Sequence, residues 1–185
     1  MADIPEHASL PLPLISGTVR LLIVCAPYYR GIADALVAGA RAMAERAGAS
    51  VDLVEVPGAL EIPPAIAIAA RAGTHDGFVA LGCVIRGETT HYDTVCNDSS
   101  RGLMELGLQG YPVGNGILTV ETMKQAKVRA DPGGQDKGGG AVAAALHLVA
   151  LARRFQARTP SRGRRLHGGQ DELRLAADQD GSSHA

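Results

Sequence analysis

The sequence predicts an α/β fold in which a four-stranded parallel sheet lies between two layers of helices. Three observations lead there. Apolar runs such as Phe78-Val79-Ala80-Leu81 carry no polar residue, as expected of strands buried on both faces. These runs alternate with longer segments whose apolar residues recur every three or four positions, the period of a helix with one buried face. Each run also ends in a turn rich in glycine, proline or polar residues, so a strand-to-helix connection recurs along the chain. With 185 residues there is room for one well-cored domain and not for two ordinary ones. The 46% hydrophobic content is mainly aliphatic, with 3% aromatic residues and no Trp, so any aromatic near a loop stands out.

Taken in order, residues 1–16 contain Pro5, Pro11 and Pro13 without a period and read as an extended N-terminal arm. Residues 19–26 form the first strand and 27–31 the loop at its carboxyl end. From Ile32, residues Ile32, Leu36, Val37, Ala40, Met43, Ala44 and Ala47 share a helix face, and Gly48 supplies a left-handed cap. Residues 51–56 are the second strand, and 57–64 turn into a helix ending near Arg71, where Pro63 and Pro64 fit a first helical turn. The third strand, 78–84, leads to a helix from His91 to about Leu106, with Gly107 and Gly110 beyond it. The fourth, 113–120, contains Gly114 and Gly116, which predict close approach of a ligand or a neighbouring backbone. A short helix over 121–130, a glycine-rich loop over 131–136 and a last helix over 137–156 complete a domain spanning 17–157. Residues 158–185 lose the period and read as a disordered polar tail, with Arg158, Arg162, Arg164 and Arg165 a solvated basic cluster. Strands that alternate with helices in this way predict right-handed crossovers and a flavodoxin-like three-layer α/β/α sandwich.

Composition removes several classes of function. A formal net charge of −1 gives no global attraction to nucleic acid or anionic lipid. The N-terminus has no basic region followed by an apolar one, and the apolar run at 141–152 is too short to span a bilayer. Cys25, Cys83 and Cys96 have neither CxxC nor metal-ligand spacing and read as reduced core thiols of a cytoplasmic protein. His75, His91 and His147 have no partners at ligand spacing, so no metal site is expected.

In a parallel sheet the loops after the strands gather on one edge, which is where ligands bind. The third loop, residues 86–90, sets Arg86, Thr89 and Thr90 before a helix that opens on His91. A helix N-terminus favours an anion, because its first N–H groups lack intrahelical partners and the dipole is positive there. His91 adds a ring able to pass a proton near neutrality. The first loop holds Tyr28 and Tyr29, flat rings able to stack on a heterocycle or simply to pack on the core. The second offers Gly58 and Glu61, where the carboxylate serves either a ligand or the helix dipole. Arg129 and Lys137 flank the glycine-rich loop; a guanidinium fork suits phosphate, although solvation is the default for a surface cation.

Read together, these stretches resemble the lumazine synthase family. The resemblance covers roughly residues 19–152 and rests on Val56-Pro57-Gly58-Ala59-Leu60-Glu61-Ile62-Pro63, on residues 84–93 (Val-Ile-Arg-Gly-Glu-Thr-Thr-His-Tyr-Asp), on Pro112-Val113 with Gly116-Ile117-Leu118-Thr119, and on Lys137-Gly138. It implies the penultimate step of riboflavin biosynthesis: condensation of 5-amino-6-ribitylaminouracil with 3,4-dihydroxy-2-butanone 4-phosphate to 6,7-dimethyl-8-ribityllumazine, phosphate and water, without cofactor or metal. Carried over by position, Tyr28 stacks on the pyrimidine, and Ala59, Leu60, Glu61 and Ile62 hold the ribityl chain. Cys83, Val84 and Ile85 present backbone groups to the ring edge. Glu88, Thr89 and Arg129 contact phosphate, His91 transfers protons, and Lys137 lies on the far side of the pocket.

The resemblance also implies homo-oligomers with sites between adjacent subunits of a pentamer, the later loops coming from the neighbour. Family members occur as free pentamers, pentamer pairs and larger shells; Pro11 and Pro13, which remove strand donors from the arm, favour the free pentamer. Two departures stand out. Asn115 lies where many members have an aromatic lining the pocket, and Gly138, Gly139 and Gly140 leave the last helix without the acidic residue often found at its start. A non-catalytic lumazine- or flavin-binding scaffold and a generic phosphate-binding domain are the alternatives, and retention of Glu61, Thr89, His91, Arg129 and Lys137 together favours the enzyme.

Overall fold

The computed structural model describes residues 10–156. The elements run β1 (Val19–Cys25), α1 (Arg30–Arg46), β2 (Ala49–Glu55), a single 3₁₀ turn (Ala59–Glu61), α2 (Ile62–Ala72), β3 (Gly77–Ile85), α3 (His91–Leu108), β4 (Val113–Val120), α4 (Met123–Ala130) and α5 (Lys137–Gln156). All strand pairs are parallel, in the order β2-β1-β3-β4. The two central strands are the apolar runs of the sequence. Leu21, Ile23 and Cys25 face a core shared with α1, α4 and α5, while Leu22, Val24 and Ala26 face one shared with α2 and α3. This alternation across β1 makes the three layers.

The element boundaries follow local chemistry. Gly48 sits at φ +68° and its N–H reaches the Glu45 carbonyl, closing α1 as the sequence predicts. Gly107 does not stop α3, which runs to Leu108 before Gly110 turns the chain at φ +92°. The short helix starts at Met123 rather than at residue 121. Thr122 caps it by accepting the Gln125 N–H, and the Gln125 side chain accepts the Glu121 N–H. The signal was the Thr-x-x-Gln spacing of a capping box. Gly114 makes room for a backbone: a Cβ there would lie 1.9 Å from the Ala141 carbonyl oxygen of α5. The start of α5 does have a carboxylate, from the residue before it. Asp136 accepts the Gly139 N–H at 2.9 Å while lying against Gly39 of α1.

Residues 10–16 form no helix or strand, but Leu12 and Ile15 pack on the α1–α5 core. Arg153 of α5 ties this segment down by donating to the Ser16 and Thr18 carbonyls and pairing with Asp76. The tail over 158–185 and the first part of the arm lie outside the described residues. Cys25 and Cys83 are core thiols, whereas Cys96 is half-buried on α3. Among the described residues no helix is long and apolar enough to cross a membrane.

Candidate active site

Strand order fixes where a ligand can sit. The chain leaves β1 to pair it with β2 on one side and β3 on the other, so the connections diverge at the carboxyl ends of β1 and β3 and leave a crevice. A cleft of about 530 Å³ opens there, a size suited to a small organic molecule. Its walls are the segments after β1, β2 and β3 and the first turn of α3.

Eleven residues singled out from the sequence line it: Tyr28, Tyr29, Gly58, Ala59, Leu60, Glu61, Cys83, Val84, Ile85, Thr89 and His91. Tyr28 is three-quarters exposed, and Tyr29 props it edge-on at 5.0 Å between ring centroids. The 3₁₀ turn brings Leu60 and Glu61 to the cleft and sends Ile62 inward, where its side chain is fully buried in the α2–α3 core. Thr89 accepts the His91 N–H and so organises the helix start. Burial pushes the Cys83 thiol up to about 11, so it is protonated at neutral pH and offers no thiolate nucleophile. Burial, then Tyr28 and Cys83, also raise the Tyr29 phenol, keeping it a neutral donor.

The remaining candidates do not line the cleft. Glu88 is exposed beside it. Asn115 lies on β4, the far edge strand, where its side chain accepts the Ile117 N–H. Arg129 is half-buried on α4 and donates to the Gln125 carbonyl, and Lys137 is exposed at the start of α5. The fourth loop thus shares the sheet edge with the others but stays outside the cleft of its own chain. Among the described residues no Lys or Arg lines that cleft, and its one carboxylate is Glu61. Sequence reasoning missed Tyr92 and Val95, which also line it. Val95 was within reach, since it stands four residues after His91 on the same helix face.

The loop arginine, Arg86, is occupied. Its Nε donates to both carboxylate oxygens of Glu121 at 3.1 and 2.8 Å, Nη2 reaches Asp93 at 3.3 Å, and the guanidinium stacks 4.0 Å above the Tyr92 ring. Outside the cleft, Arg30 makes a two-pronged pair with Glu55, joining the start of α1 to the end of β2.

Comparison with known proteins converges on one family. The model of the 6,7-dimethyl-8-ribityllumazine synthase family matches residues 18–153. The chain is similar to the 6,7-dimethyl-8-ribityllumazine synthase of Jannaschia sp., 55% identical over 148 residues that cover 80% of this chain and 83% of the relative. The synthase of Azorhizobium caulinodans is 57% identical over 155 residues, covering 80% and 94%, and that of Novosphingobium aromaticivorans 54% over 136, covering 74% and 98%. A match across nearly the whole described domain, at more than half identity, places this chain in the 6,7-dimethyl-8-ribityllumazine synthase family, a family of transferases of riboflavin biosynthesis.

Proposed function

We propose that the protein catalyses the penultimate step of riboflavin biosynthesis, condensing 5-amino-6-ribitylaminouracil with 3,4-dihydroxy-2-butanone 4-phosphate in the cleft between β1 and β3. The observation that carries this reading is the combination on its walls: an exposed Tyr28 ring, a carboxylate and 3₁₀ turn on one side, and Thr89 and His91 at a helix start on the other. Tyr28 stacks on the pyrimidine, whose ring edge meets backbone of Cys83, Val84 and Ile85. Ala59, Leu60 and Glu61 receive the ribityl chain, with Glu61 accepting from its hydroxyls, while Ile62 stays in the core behind them. Glu88, Thr89 and the N-terminus of α3 hold the phosphate.

The chemistry needs little beyond placement. The 5-amino nitrogen adds to the ketone carbonyl, water leaves to give an imine, and a carbon-bound proton is lost as phosphate departs from the adjacent carbon. The resulting enol reverts to a ketone, the ribitylated amine closes the ring on it, and a second water leaves. His91 moves the protons that the amine gives up and the leaving hydroxyls gain. Holding two reactants together is worth roughly 7 to 11 kcal/mol, and a positioned acid–base group about 10² to 10⁴-fold.

A phosphorylated substrate in a cleft whose one charged wall group is a carboxylate needs a cation from elsewhere. Arg129 and Lys137, outside the cleft of their own chain, fit that need if a second copy presents them, in a homopentamer with sites between subunits. Asn115 on the same β4 edge would then meet the ligand from the neighbour. Incubating the protein with both substrates and following lumazine absorbance tests the reaction. Binding of the pyrimidine without turnover would instead mark a non-catalytic binder.

A further inference from the structure

Resting on the reading of the cleft as a site for a phosphorylated substrate, we propose that Arg86 is a positioning residue whose clamp on Glu121, Asp93 and Tyr92 sets the phosphate-binding turn, rather than a ligand of the phosphate. An arginine in a loop beside a helix N-terminus is an obvious anion ligand, and its surroundings argue otherwise. The Nε–H faces the Glu121 carboxylate, Nη2 faces Asp93, and the guanidinium carbon lies 4.0 Å over the Tyr92 ring centroid. The Arg86 N–H also donates to the Val120 carbonyl, next to Glu121.

The three partners come from two different elements. Glu121 follows the end of β4, whereas Tyr92 and Asp93 form the first turn of α3. Arg86 lies between the cleft-lining Ile85 and Gly87, and Tyr92 is itself a cleft wall. One planar group thus fixes the strand end, the turn over 87–90 and the helix start relative to one another. Arg86 also offsets the charges of Asp93 and Glu121. Lysine cannot replace it: an ammonium has neither the fork nor the flat face.

The experiment compares Arg86→Lys, Glu121→Gln and the double variant with the wild type, using lumazine formation with each substrate varied in turn. A clamp predicts that each single variant raises KM for the phosphorylated ketone, on the order of tenfold for Arg86→Lys, and leaves KM for the pyrimidine within about twofold. It also predicts that the double variant is no worse than Arg86→Lys, because both substitutions break one linkage. The proposal is overturned if Glu121→Gln leaves the ketone KM unchanged or lowers it, as release of a direct ligand would. It is equally overturned if the two effects multiply, or if both KM values rise together. Should the wild type itself form no lumazine, the reaction assignment fails. The clamp is then judged by inorganic phosphate affinity across the same proteins: weaker binding to both single variants supports it, and equal affinity overturns it.

Discussion

At the scale of the residue, His91 and Arg129 make different predictions because they stand in different places. His91 lines the cleft, so His91→Ala is expected to lower kcat, by no more than about 10² to 10⁴-fold, since placement of the reactants survives. Undiminished turnover would remove the imidazole from the proposed chemistry. Arg129→Ala should leave kcat nearly intact and raise KM for the phosphorylated ketone; an unaltered KM excludes it as a phosphate contact. Residues that follow a strand directly were legible in the sequence, because the end of an apolar run and the turn after it put Tyr28, residues 83–85 and Thr89 on the ligand edge. Ile62 was not. Whether it follows Glu61 to the cleft or turns into the core depends on one 3₁₀ turn that leaves no period to read. The i+4 phase from His91 carries the wall onward to Val95, whereas nothing in the sequence pattern marks Tyr92 as a wall residue.

At the scale of the element, the close approach of α5 to the sheet is the most demanding contact. Gly114→Ala would put a methyl group 1.9 Å from the Ala141 carbonyl oxygen, and a backbone atom in a packed helix cannot swing aside. The substitution should destabilise by about 1 to 3 kcal/mol or more, read as an earlier midpoint in thermal or denaturant unfolding. A midpoint equal to wild type would mean that α5 sits farther from β4 than described. Thr122→Ala removes the α4 cap and should cost about 1 kcal/mol, without the packing loss. The two glycines of β4 announced a close approach but not its object. The choice between ligand and helix lay in which element the chain brings over β4, and that is set by tertiary packing rather than by the strand's own residues.

At the scale of the whole molecule, charge placement gives stability a window in pH. Hydrogen bonds from His75 and then Arg20 hold the Asp52 carboxyl below its ordinary 3.8, and hydrogen bonds from Arg30 hold Glu55 below 4.5. Such depressed groups contribute stability that is present above their ordinary values and lost as pH falls through the folded ones. At the other end, Cys25 and Cys83 are pushed from 9.0 to about 11, chiefly by burial. Their contribution is complete below pH 9 and is lost as pH rises toward 11, because the unfolded thiols ionise first. Unfolding midpoints measured across pH should therefore fall below about pH 4 and above about pH 9, and Cys25→Ala should blunt the alkaline fall. A profile level to pH 11 would contradict the burial of these thiols. The fold class was legible because two apolar runs and two weaker strand segments, separated by helical periods, leave a parallel sheet little alternative. That the fourth loop stays out of its own cleft was expected only from the family resemblance and not from the strand pattern, since strand order follows from which strands pair. The same geometry leads to the central claim, that two copies of the chain build each site. Co-assembling His91→Ala with Arg129→Ala chains tests it most directly. Shared sites predict that mixed oligomers, at low ketone concentration, exceed the sum of the two separate proteins, because roughly a quarter of the interfaces regain both wild-type residues. Activity no greater than that sum would place His91 and Arg129 in the same subunit's site and contradict the account.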